Sequence, residues 1–228
     1  MTPHIGECEV VLEASTPHAS VAVFGGGVLL AQVLAEMRPG ADETLMPAVD
    51  AALRAAGVRP AELAWVTCGA GPGGFTSLRI AAAIAKGLAH ATGCGLRAVP
   101  SLALAAAARG PGRWIVTLDA LRGERYAAEV TVDGLGNAFE YTYLGLLTPE
   151  AITAAVARAA TGPWQAAESD ANATPPRAAD ARGCEQLITK VDLAAWEPLY
   201  GRLAEAQARW EQSQGRPLAT ALHPPADG

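Results

Sequence analysis

Gly71, Gly73 and Gly74 lie in the stretch GAGPGGFTSLRI, residues 69–80, where a glycine-rich turn feeds directly into a helix start. Glycine permits backbone conformations and close approaches that a Cβ would block, and the first amides of a helix carry partial positive charge. These residue types, with Thr76 and Arg79 beside them, suit a residual nucleotide or phosphate loop. The stretch has no Walker Lys-Ser/Thr pair and does not spell G-x-G-x-x-G, so a structural tight turn is the competing reading. Three carboxylates, Glu13, Asp119 and Glu124, adjoin apolar runs where they could assist acid–base chemistry, although ion pairs and strand ends account for them more simply. The four histidines, His4, His18, His90 and His223, form no ligand-spaced pair, and no metal site is expected. Cys8, Cys68, Cys94 and Cys184 are scattered without C-x-x-C spacing, as befits free thiols in a reducing compartment.

The elements that would carry these residues follow from periodicity. EVVLEAS at 9–15, ASVAVF at 19–24 and the run after the GGG turn at 25–27 predict three antiparallel strands. Leu45, Val49, Leu53 and Ala56 recur at helical spacing, with the helix beginning near Thr44 because Pro47 fits only a first turn, and ending at Gly57. AWVTCG at 64–69, the glycine turn, a helix to about Thr92 and a strand near LRAVP form a βαβ unit. A helix at 101–109 and a hinge at GPG, residues 110–112, precede three more strands and a helix from Pro149 onward. The order of three strands and then a helix thus occurs twice. Residues 161–183, rich in Ala, Pro, Asp and Thr, predict a mobile linker. The tail predicts two helical pieces divided at Pro198 and a frayed end.

The helix behind the glycine turn has two apolar faces. Leu78, Ala81, Ala82, Ala85, Leu88 and Ala89 fill one; Ile80, Ala83, Ile84 and Gly87 fill the other; Arg79, Lys86 and His90 share a narrow stripe. A helix lying on a sheet needs one buried face, so either it is packed centrally or its small residues dock another chain. The docking expectation places the partner interface on Leu78, Ala82, Ala85 and Ala89, together with Leu45, Val49 and Leu53 of the preceding helix.

Composition narrows the class. The chain has 228 residues, half of them hydrophobic, and a net charge of −6. That size supports one large domain or two small ones. The acidic balance argues against direct grip on nucleic acid, which needs clustered Lys and Arg. Arg79 and Lys86 interrupt the longest apolar stretch too early for a membrane span, and the first residues resemble no export leader, so a cytoplasmic location is expected.

The stretch GAGPGGFTSLRIAAAIAKGLAHATG, followed by VPSLALAA and then TLDALRGERYAAEV, resembles the TsaB (YeaZ) family across about residues 9–145. PLYGR at 198–202 is similar to a short P-x-Y-x-R stretch of that family. The resemblance implies an α/β fold of the ASKHA (actin/hexokinase-like) type, with two lobes that each start with a three-stranded meander followed by helices. The first lobe, residues 1–109, would hold the glycine loop and docking helices, and the second, residues 110–228, the linker and C-terminal helices. It also implies a non-catalytic subunit of the complex that places threonylcarbamoyl on the adenosine beside the anticodon of tRNA. The subunit would pair with the catalytic paralogue TsaD and the ATPase TsaE, meet tRNA only through the complex, and have the capacity to self-associate through the same surface.

Departures from the relatives sharpen this. TsaD-like sequences carry two metal-holding histidines in N-H-x-x-G-H, and here Ser101 and Ala105 stand in their places, neither able to replace imidazole. The family's first strand usually ends I-D-T-S, and here Glu13, Ala14 and Ser15 occupy that motif. No catalytic residue and no resident cofactor are expected; a nucleotide at the joint interface with the partner is left open. A small ASKHA phosphotransferase is the alternative, and a metallopeptidase fails for want of a ligand cluster.

Overall fold

The computed structural model describes residues 7–37, 43–120, 123–159, 166–171 and 173–200. Among the described residues, ten strands and four α-helices follow in chain order: β1 Cys8–Glu13, β2 His18–Gly25, β3 Val28–Glu36, α1 Leu45–Ala56, β4 Leu63–Gly69, α2 Phe75–Thr92, β5 Gly95–Val99, α3 Ser101–Ala107, β6 Gly112–Asp119, β7 Arg125–Val132, β8 Ala138–Leu147, α4 Pro149–Ala159, β9 Ala166–Asp170 and β10 Thr189–Lys190. Short 3-10 helices run over Pro60–Glu62 and Ala178–Leu187.

The strands form two sheets, ordered β10-β5-β4-β1-β2-β3 and β8-β7-β6-β9. Each starts from an antiparallel meander, and in each a helix crossover returns the chain to lie parallel to the meander's first strand, β4 on β1 and β9 on β6. The twofold element order read from the sequence is therefore a repeat of topology.

Alternation along β1 sorts its side chains between two cores. Val10 and Leu12 join α1 and α2 on one face. Val11 joins Ala22, Phe24 and Val99 on the other, against α3, the 3-10 helix Ala178–Leu187 and one face of the second sheet. Ile115 faces away from that central core and meets α4 through Ile152, Ala155 and Ala159. The layers therefore run α1 and α2, first sheet, α3 with the 3-10 helix, second sheet, α4.

Local chemistry sets the helix ends. The Glu43 carboxylate accepts the Leu45 and Met46 amides at the start of α1, and Pro47 falls in its first turn. Gly57 and Gly93, at φ of 66° and 73°, close α1 and α2 in the left-handed conformation that glycine adopts without a Cβ penalty.

Two expectations are corrected here. Residues 166–171 and 173–183 are not a mobile linker, because β9 pairs with β6 and Ala178, Ala181 and Cys184 are buried in the central core; short alanines let this segment fit between the layers. Residues 161–165 and 172 lie outside the described residues. The first tail piece is not a helix: an Asp192 turn leads into chain without regular secondary structure, with Asp192 Oδ1 accepting the Ala194 and Ala195 amides. The second piece and the chain end lie outside the described residues. Moreover, β10 joins the first sheet, and Val191, Leu193 and Trp196 pack on the first core, although these residues follow position 110.

Candidate functional site: the glycine loop and the end of the first strand

The end of β1, the glycine loop and the start of α3 meet around one carboxylate. Glu13 is fully buried; its Oε1 accepts the Ser15 amide at 2.6 Å and its Oε2 accepts the Ser101 hydroxyl at 2.8 Å. Ser101 Oγ in turn accepts the Gly71 amide at 3.0 Å, and the Ser101 amide donates to the Gly71 carbonyl at 3.1 Å. Burial pushes the Glu13 carboxyl above the usual carboxylate range, partly offset by the hydrogen bonds from Ser15 and Ser101. The position read as a lost metal ligand is therefore the hydroxyl that binds this carboxyl to the loop.

The glycines here make room for the chain itself. A Cβ on Gly69 would overlap Glu13 Oε2, one on Gly71 would overlap the Leu199 carbonyl, and one on Gly73 would overlap the Ser15 carbonyl. Gly71 also sits at φ 80° before a cis Gly71–Pro72 peptide. Three of the loop's amides are committed internally: Ala70 N to Val99 O at 2.7 Å, Gly71 N to Ser101 Oγ and Gly74 N to Ser15 O at 2.9 Å. A phosphate cradle needs free amides and space beside them. Among Gly71, Gly73, Gly74, Thr76 and Arg79, the first two are buried in self-contacts and the other three are exposed at the turn and the start of α2. Gly71 and Gly73 therefore serve the close packing of the turn itself, while Gly74, Thr76 and Arg79 stay exposed where α2 begins.

The candidate acids do not converge on a reachable site. Glu13 has no exposed surface, while Asp119 is exposed and Glu124 half-buried at the β6–β7 turn of the other sheet. His18 and His90 are exposed on β2 and α2; His4 and His223 lie outside the described residues. Cys8, Cys68 and Cys184 are buried and Cys94 is half-buried, all free thiols; burial raises the Cys68 thiol and pushes Cys184 up to about 12.

The docking expectation needs correction. Leu45, Val49, Leu53, Leu78, Ala82, Ala85 and Ala89 are all buried within this chain, where α1 and α2 rest on the first sheet. On the other face of α2, Ala83 and Gly87 are exposed, Ile80 and Ile84 are half-buried against the first core, and a Cβ added at Gly87 would meet nothing within 4 Å.

A second polar cluster was not anticipated. Glu9, only 3 % exposed, accepts the Thr67 hydroxyl and Arg182 Nη2, the latter at 2.5 Å, and lies 3.7 Å from Arg97. Arg97 stacks 3.6 Å over Trp65 and Arg182 lies over Phe24, so this cluster fastens the 3-10 helix Ala178–Leu187 to the first sheet. Its signal in the sequence was a second glutamate four residues before Glu13, on the same face of an apolar strand.

Two meander-led sheets with helices between and outside them make a layered α/β fold. That fold is similar to the fold of YeaZ. YeaZ from Pseudomonas aeruginosa is 22% identical at a TM-score of 0.65, covering 94% of this chain and 100% of that one. An uncharacterized protein with similarity to peptidase YEAZ, also from Pseudomonas aeruginosa, is 24% identical at a TM-score of 0.67, covering 86% and 100%. A family model described as TsaD, tRNA N6-adenosine threonylcarbamoyltransferase, matches residues 41–143. No curated protein matches. The solved structures share the fold of this chain, and the family model matches part of it. No helix among the described residues is long and apolar enough to cross a membrane.

Proposed function

We propose that this chain is a TsaB-type accessory subunit that docks and stabilises a TsaD-like transferase in the placing of threonylcarbamoyl on tRNA adenosine, without supplying a catalytic group. The observation that carries this reading is the Glu13–Ser101 pair, which fills the junction between the β1 end and the glycine loop with buried protein atoms. The YeaZ fold and the TsaD family match support the partner. In this reading the exposed strip of α2 at Ala83 and Gly87 is the docking surface, since small exposed residues let a partner helix approach closely. The TsaE-like ATPase and tRNA join through the complex, self-association uses the same face, any nucleotide sits at the joint interface, and the complex works in the cytoplasm.

The test is direct binding of the purified chain to the TsaD-like paralogue from the same cell, together with threonylcarbamoyladenosine content in bulk tRNA after depletion. The reading expects a defined complex and loss of the nucleoside. A chain that hydrolyses ATP alone, with activity lost on Glu13→Ala, would instead establish the phosphotransferase alternative.

A further inference from the structure

We propose that residues 191–200 are a hinged latch on the glycine loop, fixed at one end to the first sheet and held at the other by contacts that release without opening the core. The fixed end is anchored twice: β10 pairs with β5, and the Val191 amide donates to the Leu96 carbonyl at 3.1 Å. Leu193 and Trp196 then pack against the first core. The Asp192 turn, closed by the Trp196 amide on the Asp192 carbonyl at 3.0 Å, gives the hinge.

The outer end is held differently. Leu199 donates its amide to the Ala70 carbonyl at 2.8 Å, and its own carbonyl lies on Gly71, filling the space a Cβ would take. Glu197 pairs with Lys86 at 2.8 Å and accepts the Tyr200 hydroxyl at 2.6 Å. The Tyr200 ring rests on Phe75, the first residue of α2, with centroids 4.8 Å apart. The Lys86 and Glu197 side chains are 23 % and 40 % exposed, and Leu199 is 44 % exposed. Pro198 is buried between them, but among the described residues the other holds are a partly exposed ion pair, one backbone bond outside any ladder and one ring contact, each weak, as in a segment that opens locally.

What the latch controls is the start of α2. Its contacts fall on Ala70, Gly71, Phe75 and Lys86, so seating it pins the loop and the first turn of the helix. Anything that binds the seated and lifted forms unequally is coupled to that turn. This inference goes beyond the accessory role above and does not depend on it.

Hydrogen–deuterium exchange on the full chain tests it. In Tyr200→Ala and in Lys86→Gln, amides of residues 70–80 should exchange about tenfold faster, while those of β1 and β7 stay at the wild-type rate. Tyr200→Phe, which keeps the ring on Phe75, should show a smaller effect. Added salt should speed exchange of the same segment in the wild type but not in Lys86→Gln. Unchanged exchange over 70–80, or acceleration shared equally by β1 and β7, overturns the latch, since the first shows no control of the loop and the second only general destabilisation.

Discussion

The Ser101 hydroxyl donates to the Glu13 carboxyl across 88 positions of sequence, at 2.8 Å and with both side chains fully buried. Gly69 lies against the same carboxyl with no space for a Cβ. Gly69→Ala should therefore cost about 1–3 kcal/mol by overpacking. In a Glu13→Ala background that cost should shrink, because the atom it strikes is gone. Denaturant unfolding of the two single variants and the double variant measures the coupling; additive costs would contradict the close approach.

The buried face of α2 and its outward face should respond oppositely to charge. Ala82→Glu or Ala85→Arg places an unpaired charge at a buried position of this chain and should destabilise by about 3–5 kcal/mol. Ala83→Glu, on the exposed face, should fold like the wild type and lose affinity for the TsaD-like partner. Thermal melting alongside binding distinguishes them, and early melting of Ala83→Glu would refute the assignment of faces.

Asp180 offers a pH test. Burial raises its carboxyl from 3.8 to about 6, with Arg177 partly offsetting the effect, and its Oδ2 has no hydrogen-bond partner among the described residues. A raised carboxyl binds its proton more tightly in the folded state, so its contribution is fully present below pH 3.8 and is lost as pH rises through about 6. Asp180→Asn should flatten the melting temperature across that window and exceed the wild type above pH 7. A parallel pair of curves would argue against it.

Arg182→Met should cost about 1–3 kcal/mol, because Glu9 stays buried with Arg97 at 3.7 Å as its remaining cation. Glu9→Gln in the same background should recover part of the loss by removing the charge. Urea midpoints would show the recovery or its absence.

Much of the framework was legible in the residues. Alternating β-branched runs, Pro47 in a first turn, and Gly57 and Gly93 after periodic segments marked strands and helix ends through local rules, and those rules hold. The two apolar faces of α2 were equally visible, but which one is covered depends on where the sheet lies, and periodicity carries no such direction. The segment read as a linker misled because alanine-rich, proline-flanked chain has a linker's composition, whereas the small side chains of Ala171, Ala178 and Ala181 are what fit between two layers. Ser101 was noticed for what it lacks. Its bond to Glu13 joins strand and helix ends far apart in sequence, and no spacing rule reports such a meeting.

The return of β10 to the edge of the first sheet has a consequence for the order of synthesis. The meander of the first sheet leaves the ribosome early, yet that sheet lacks its sixth strand, and the glycine loop lacks Leu199, until the strands of the second sheet have been made. The sheet begun first is completed last. A nascent chain stalled before residue 189 would present β5 as an open edge, so the time between the two events is when this protein most needs protection from pairing with its neighbours.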